Sequence, residues 1–258
     1  MTQFVTSTDG TAIAFTATGA GSPVVLVGGG LDDGAENAPL AEALAPWFTV
    51  VNYARRGRGA SGDTAPYAVE REHDDLAALL ALFDGPAHLF GASSGGALTL
   101  SAVAAGLPAA RVAVYEVPYL VDEPLRAAWL SYVEEIAALL TADRHDDAIA
   151  AFMRLAGAGE AEIAGARAAP VWPSLVALAP MLAYDAACLG DGRVPRSLAT
   201  VDQPVLVATG AQPAPFFATA ADAMVAALPR ARRTLVPRSG HVADPATLAP
   251  LLRDFDLS

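Results

Sequence analysis

Ser93, His241 and Glu116 are the side chains of this sequence whose types and settings could do chemistry together. Ser93 lies in Gly91-Ala92-Ser93-Ser94-Gly95-Gly96, between the apolar run Ala87 to Phe90 and an Ala/Leu-rich helical run from Ala97. A nucleophilic serine on a sharp strand-to-helix turn needs small residues two places before and two after it. Gly91 and Gly95 meet that need around Ser93. Ser94, flanked by Ala92 and Gly96, is the rival nucleophile, but the motif centres better on Ser93.

A serine hydroxyl at neutral pH needs a base within reach, and the base needs a partner that fixes its tautomer and steadies its charge. The chain has four histidines. His88 falls inside a core strand, His73 on the face of a long helix, and His145 beside Asp146 and Asp147. His241 instead follows Ser239-Gly240 after the last strand and precedes the terminal helix, so a loop presents it. A common location for such a carboxylate is the turn after the run Pro204 to Ala208, but Thr209 to Pro215 holds no acid. Glu116, at the end of the run Val112 to Tyr115, is the preferred orienting acid, because a glutamate among apolar residues is costly to bury unless paired. Asp122, Asp185 or no acid at all are the alternatives, and a salt bridge from Glu116 to Arg111 or Arg126 is its purely structural role.

Acyl transfer also needs two donors aimed at the developing oxyanion. Gly28-Gly29-Gly30-Leu31 follows the first buried strand, and the N–H groups of Gly30 and Ser94 are the candidates, with Leu31 replacing Gly30 if the turn is shifted by one residue.

Composition narrows the classes. The 258 residues suit one large α/β domain with an insertion. A net charge of −12 argues against nucleic-acid and anionic membrane surfaces, and the basic cluster Arg55-Arg56-Gly57-Arg58 is short and lies in an expected turn. All 16 cationic residues are arginine, which removes Schiff-base, Ser-Lys and Walker-lysine mechanisms. Cys188 is the single cysteine, so no intramolecular disulfide or cysteine-rich metal site is expected. No metal constellation and no dinucleotide fingerprint is seen, so no cofactor is implied. Without a signal peptide or membrane span, a cytoplasmic location is expected; no oligomeric state can be read.

The elements that must position these residues follow from periodicity. Asp9-Gly10 marks a hairpin between Phe4 to Thr8 and Thr11 to Thr16. Short apolar runs at Val24 to Val27, Phe48 to Tyr53, His88 to Phe90, Val112 to Tyr115, Pro204 to Ala208 and Thr234 to Val236 then read as buried parallel strands. Helical patterns cover Ala38 to Leu44, Ala68 to Phe83, Gly95 to Ala105 and Pro245 to Phe255. The sequence therefore predicts a mostly parallel sheet flanked by helices, with its ligand site beyond the carboxyl ends of the strands. Between Val121 and Thr200 the alternation gives way to about four helical stretches, an all-helical insertion expected to sit over the site as a cap. The division is then 1–120 for the first part of the core, 121–200 for the cap and 201–258 for the second part of the core.

With these features the chain resembles the α/β-hydrolase superfamily over nearly its whole length. The landmarks are the Gly28-Gly29-Gly30 turn, the segment Tyr53-Ala54-Arg55-Arg56-Gly57-Arg58-Gly59-Ala60-Ser61, the Gly91 to Gly95 turn and the Gly240-His241 loop, with serine, acid and histidine in the family's order. Two positions depart from it: Gly28 stands where the family usually has histidine, and Ala54 where it usually has aspartate. An acid after the Glu116 strand is similar to the haloalkane dehalogenase branch, but those enzymes and the epoxide hydrolases use an aspartate nucleophile, and Ser93 argues against both.

The resemblance implies two-step acyl transfer through Ser93, His241 and Glu116. Trp129, Tyr132, Phe152, Met153, Trp172, Leu182 and Tyr184 make the insertion apolar. The expected substrate is thus a hydrophobic carboxylic ester or lactone of moderate size, touched by Leu31, Tyr119, Phe152, Trp172 and Tyr184. A non-hydrolytic triad catalyst, such as a perhydrolase or a natural-product cyclase, shares the first step and is the alternative. A non-catalytic binding module on the same fold would expect a broken triad.

Overall fold

In the computed structural model, which describes residues 1–212 and 214–256, eight strands form one sheet in the order β1-β2-β4-β3-β5-β6-β7-β8. They are β1 (Gln3–Thr6), β2 (Ala12–Thr18), β3 (Ser22–Val27), β4 (Phe48–Tyr53), β5 (Ala87–Ala92), β6 (Ala109–Tyr115), β7 (Val205–Gly210) and β8 (Ala231–Val236). β2 runs antiparallel to both β1 and β4, and every later pairing is parallel.

The continuous apolar runs have a direct cause. Successive residues of a strand face opposite sides of the sheet, so a strand covered on both faces is apolar at every position. Val25 and Val27 enter one core, with Val51, Leu89, Val112 and Val207. Val24 and Leu26 enter the other, with Phe48, Val50, Phe90 and Leu206.

The first core is covered by α2 (Val69–Leu80), α3 (Ser94–Ala104) and α9 (Pro215–Ala227), and the second by α1 (Ala38–Leu44) and α10 (Pro245–Asp256). Helix α9 lies outside the helices expected from the sequence. Pro215 in its first turn was the available signal.

Between β6 and β7 the chain makes five α-helices rather than about four: α4 (Glu123–Thr141), α5 (His145–Leu155), α6 (Glu160–Arg167), α7 (Trp172–Ala177) and α8 (Leu182–Leu189). Helix α8 packs on α3, the helix that begins beside Ser93. Among the described residues no helix is long and apolar enough to cross a membrane.

Candidate active site

Ser93 occupies the turn between β5 and α3 with φ 53° and ψ −126°. Positive φ on a residue with a Cβ costs about 1–3 kcal/mol and persists only where the surroundings enforce it. Here the Ser93 N–H donates to Tyr115 O at 2.9 Å. The two flanking glycines let α3 pack closely against β5 and the end of β3: a Cβ on Gly91 would stand 2.5 Å from Thr99 Oγ1, and one on Gly95 would stand 2.3 Å from Gly28 O. Because α3 starts at Ser94, the Ser94 N–H belongs to the first turn and has no carbonyl inside the helix to meet.

Glu116 follows β6 with φ 46°, a second strained position at the same edge of the sheet. Its N–H still joins the sheet through Ala208 O, while its carboxylate is fully buried. That carboxylate has two partners: Oε1 accepts from the Gly210 N–H at 2.9 Å, and Oε2 lies 2.9 Å from His241 Nδ1. A carboxylate only accepts, so in the neutral imidazole Nδ1 carries the proton and Nε2 the lone pair.

The His241 loop is fastened on several sides. Tyr115 Oη donates to Gly240 O, the Asp244 N–H donates to Ser239 Oγ at 3.1 Å, and the His241 ring stacks on Phe217 with centroids 5.0 Å apart. The imidazole stays half-exposed, and no hydrogen bond joins it to Ser93 in this structure. Such bonds are often long without substrate and tighten on binding.

The other acids and histidines are engaged elsewhere. Asp122 caps α4, accepting from the Leu125 N–H. Arg126, the structural alternative for Glu116, pairs with Glu123, and the Arg111 guanidinium lies over the Phe255 ring. His73 meets Ser101, His145 meets Asp143, and His88 Nδ1 lies 3.4 Å from Asp256 Oδ1.

Gly29 and Gly30 lie beside Ser93 and beneath the inserted helices. A Cβ on Gly29 would be 3.0 Å from Ser93 Cβ, and one on Gly30 would be 3.6 Å from Phe152 Cζ and 3.4 Å from Asp185 Oδ2. Leu31 has φ 60° and is half-buried.

The departure at Gly28 has a local cause. A Cβ there would be 2.2 Å from Asp32 Oδ2, and the Asp32 carboxylate instead organises the loop by accepting from the N–H groups of Gly34 and Glu36. At Ala54, the Ser61 hydroxyl donates to the Ala54 carbonyl at 2.6 Å and accepts from the Ala14 N–H.

The remaining expected substrate contacts divide. Phe152 stands over the Gly30 turn. Trp172 is buried, its indole N–H donating to Asp146 Oδ2 at 2.6 Å and its ring covered by Arg167. Tyr184 stacks on Tyr67 and donates to Asp63 Oδ2, and Tyr119 is buried in the core.

The residues least visible in advance are charged. Arg55 and Arg58, read as part of a basic turn, are 1% exposed. Arg55 forks onto both oxygens of Glu72, and the Arg55 and Arg58 guanidiniums each donate to Asp185 Oδ1 at 2.7 Å. Burial pushes the Asp185 carboxyl up, but Arg58 and Arg55 outweigh it and hold the group below the usual carboxylate range. Cys188 touches the same cluster, and burial pushes its thiol up to about 12, so it is not a nucleophile at neutral pH. Among the described residues no group of three His, Cys, Asp or Glu side chains could hold a metal ion.

Comparison with known proteins bears on the whole arrangement. The model of the alpha/beta hydrolase family matches residues 24–251. The solved structure of an alpha/beta hydrolase from Sphaerobacter thermophilus is 44% identical, with a TM-score of 0.89 and coverage of 98% of this chain and 99% of that one. The esterase RhEst1 from Rhodococcus sp. ECU1013 shares the fold at 22% identity and a TM-score of 0.71, covering 100% and 98% of the two chains. The uncharacterized hydrolase YraK of Bacillus subtilis (strain 168) is 39% identical over 95 residues, a match that spans only 35% of either protein. A sheet of this order, a strained serine turn between β5 and α3, and a match over nearly the full length lead to one conclusion: the chain belongs to the alpha/beta hydrolase family.

Proposed function

We propose that the protein is a serine hydrolase that cleaves hydrophobic carboxylic esters or lactones by acyl transfer. The observation that carries this reading is the bond between His241 Nδ1 and buried Glu116, at the same sheet edge as the strained Ser93 turn. Proton placement on Nδ1 leaves Nε2 as the base. Ser93 Oγ then attacks the carbonyl carbon while His241 takes the hydroxyl proton, and the N–H groups of Gly30 and Ser94 receive the oxyanion. His241 returns the proton to the leaving alcohol, and water repeats the sequence to release the acid.

The inserted helices act as a cap in this reading. Phe152 and Leu31 offer apolar surface next to the oxyanion turn, which favours a hydrophobic acyl group over a charged one. Stopped-flow mixing with p-nitrophenyl butyrate tests the reading. A burst of p-nitrophenol equal to the enzyme concentration, or steady turnover abolished by Ser93→Ala, supports it; turnover that survives Ser93→Ala overturns it.

A further inference from the structure

The Ser94 side chain, Arg55, Arg58 and Asp185 form a buried cluster that the acyl-transfer steps do not use. Asp185 lies on α8, inside the inserted helices, yet its Oδ1 accepts from three groups of the core: Arg55 Nη1 and Arg58 Nη2 at 2.7 Å each, and Ser94 Oγ at 2.8 Å. Its other oxygen is buried without a partner and faces Gly30. Leaving a buried carboxylate oxygen unbonded is costly, so the three bonds on Oδ1 must hold the group in place.

The other arm of Arg58 shows what the cluster acts on. Arg58 Nη1 donates to Gly29 O at 2.6 Å, and Arg55 Nη1 approaches Gly28 O at 3.5 Å. In a planar trans peptide the carbonyl and the N–H point in opposite directions. Pinning Gly29 O therefore fixes the direction of the Gly30 N–H and aims it away from the guanidinium. A charged donor on the carbonyl also polarises the peptide and strengthens the N–H as a donor. Without that anchor, a Gly-Gly peptide turns over easily, because neither residue has a Cβ to oppose the flip.

We propose that Asp185 is a positioning residue through which the inserted helices set the oxyanion hole: one carboxylate oxygen holds Arg58, which orients the Gly29–Gly30 peptide, and holds the side chain of Ser94, whose N–H is the second donor. This rests on the serine-hydrolase reading and adds to it a device that makes catalysis depend on the seating of α8. Asp185 touches neither substrate nor nucleophile; it acts through the two donors.

The test uses the full chain. In Asp185→Asn, kcat for p-nitrophenyl butyrate should fall about 100-fold with KM within threefold, and the Ki of phenylboronic acid, whose tetrahedral adduct places an oxygen in the same hole, should rise by a similar factor. Arg58→Lys keeps a positive charge but loses the fork that spans Asp185 and Gly29 O, and should give the same pattern; it carries the test if Asp185→Asn does not fold. A kcat within threefold of the parent overturns the proposal. So does a loss confined to KM, or a fall in kcat with the boronate Ki unchanged, which would mark a merely structural role. If the parent enzyme is not acylated at Ser93, the underlying reading fails instead.

Discussion

His241 Nδ1 stands 2.9 Å from Glu116 Oε2, and the second oxygen of that carboxylate is held by the Gly210 N–H. The acid is thus locked from the β7 side while it holds the ring, and it reaches His241 from the end of β6 rather than from the turn after β7. Glu116→Gln keeps the shape but can present an N–H to Nδ1, which favours the wrong tautomer. The expected result is a loss of kcat of roughly 10³–10⁴-fold with little change in melting temperature, read by p-nitrophenyl ester hydrolysis and thermal unfolding. Activity within tenfold of the parent would remove Glu116 from the mechanism.

Gly95 tests the turn itself. A Cβ there meets two backbone carbonyls, Gly28 O at 2.3 Å and Val27 O at 2.5 Å, and neither can swing aside as a side chain would. Gly95→Ala should cost at least about 2–3 kcal/mol in urea unfolding and abolish turnover, since relief of the clash moves α3 away from β3 and displaces the Ser94 N–H. A stable, active Gly95→Ala protein would show that the turn does not need this close approach.

How far the site could be read in advance followed from the range of the interactions. The Ser93 turn, the His241 loop and the apolar strands are local patterns, and each strand was found within a few residues of its observed limits. Helix α1 (Ala38–Leu44) and strand β4 (Phe48–Tyr53) coincide with their expected spans. Asp185 could be named only as an alternative acid, because nothing local shows that it meets Arg55 and Arg58 about 130 positions earlier. For the same reason the arginines read only as a short basic turn. A run of arginines directly after a buried strand, with no acid beside it in sequence, was the available clue.

Phe152 and Trp172 should separate when altered. Phe152 stands over the Gly30 turn, so Phe152→Ala should raise kcat/KM for a branched or long acyl ester relative to an acetyl ester by about 5–20-fold. Trp172 is bound to Asp146 and covered by Arg167, so Trp172→Ala should lower the melting temperature and change all chain lengths alike. A chain-length series of p-nitrophenyl esters decides it. Uniform effects at Phe152 would take it out of the acyl pocket.

Asp256 gives a dependence on pH far from the serine turn. Burial pushes its carboxyl up from 3.8 to about 7, and burial also pushes the neighbouring His88 imidazole down. Asp256 in the folded protein keeps its proton where the unfolded chain has lost it, so its contribution to stability falls as pH rises from about 4 to about 7 and is level above that. His88 acts in the opposite sense, because the unfolded chain binds its proton more readily. Asp256→Asn removes only the first effect. Relative to the parent, the variant should gain roughly 3 kcal/mol between pH 4.5 and pH 8, measured by urea unfolding at both values. A difference independent of pH would mean that Asp256 is ionised in the fold.

The central claim, that Ser93 is the nucleophile, is tested most directly by reaction with a fluorophosphonate probe and mass-spectrometric mapping of the adduct. One adduct per chain on Ser93 Oγ, absent from Ser93→Ala and slowed at least 100-fold in Glu116→Gln, is the predicted result. No adduct, or an adduct on Ser94 that persists in Ser93→Ala, would contradict it.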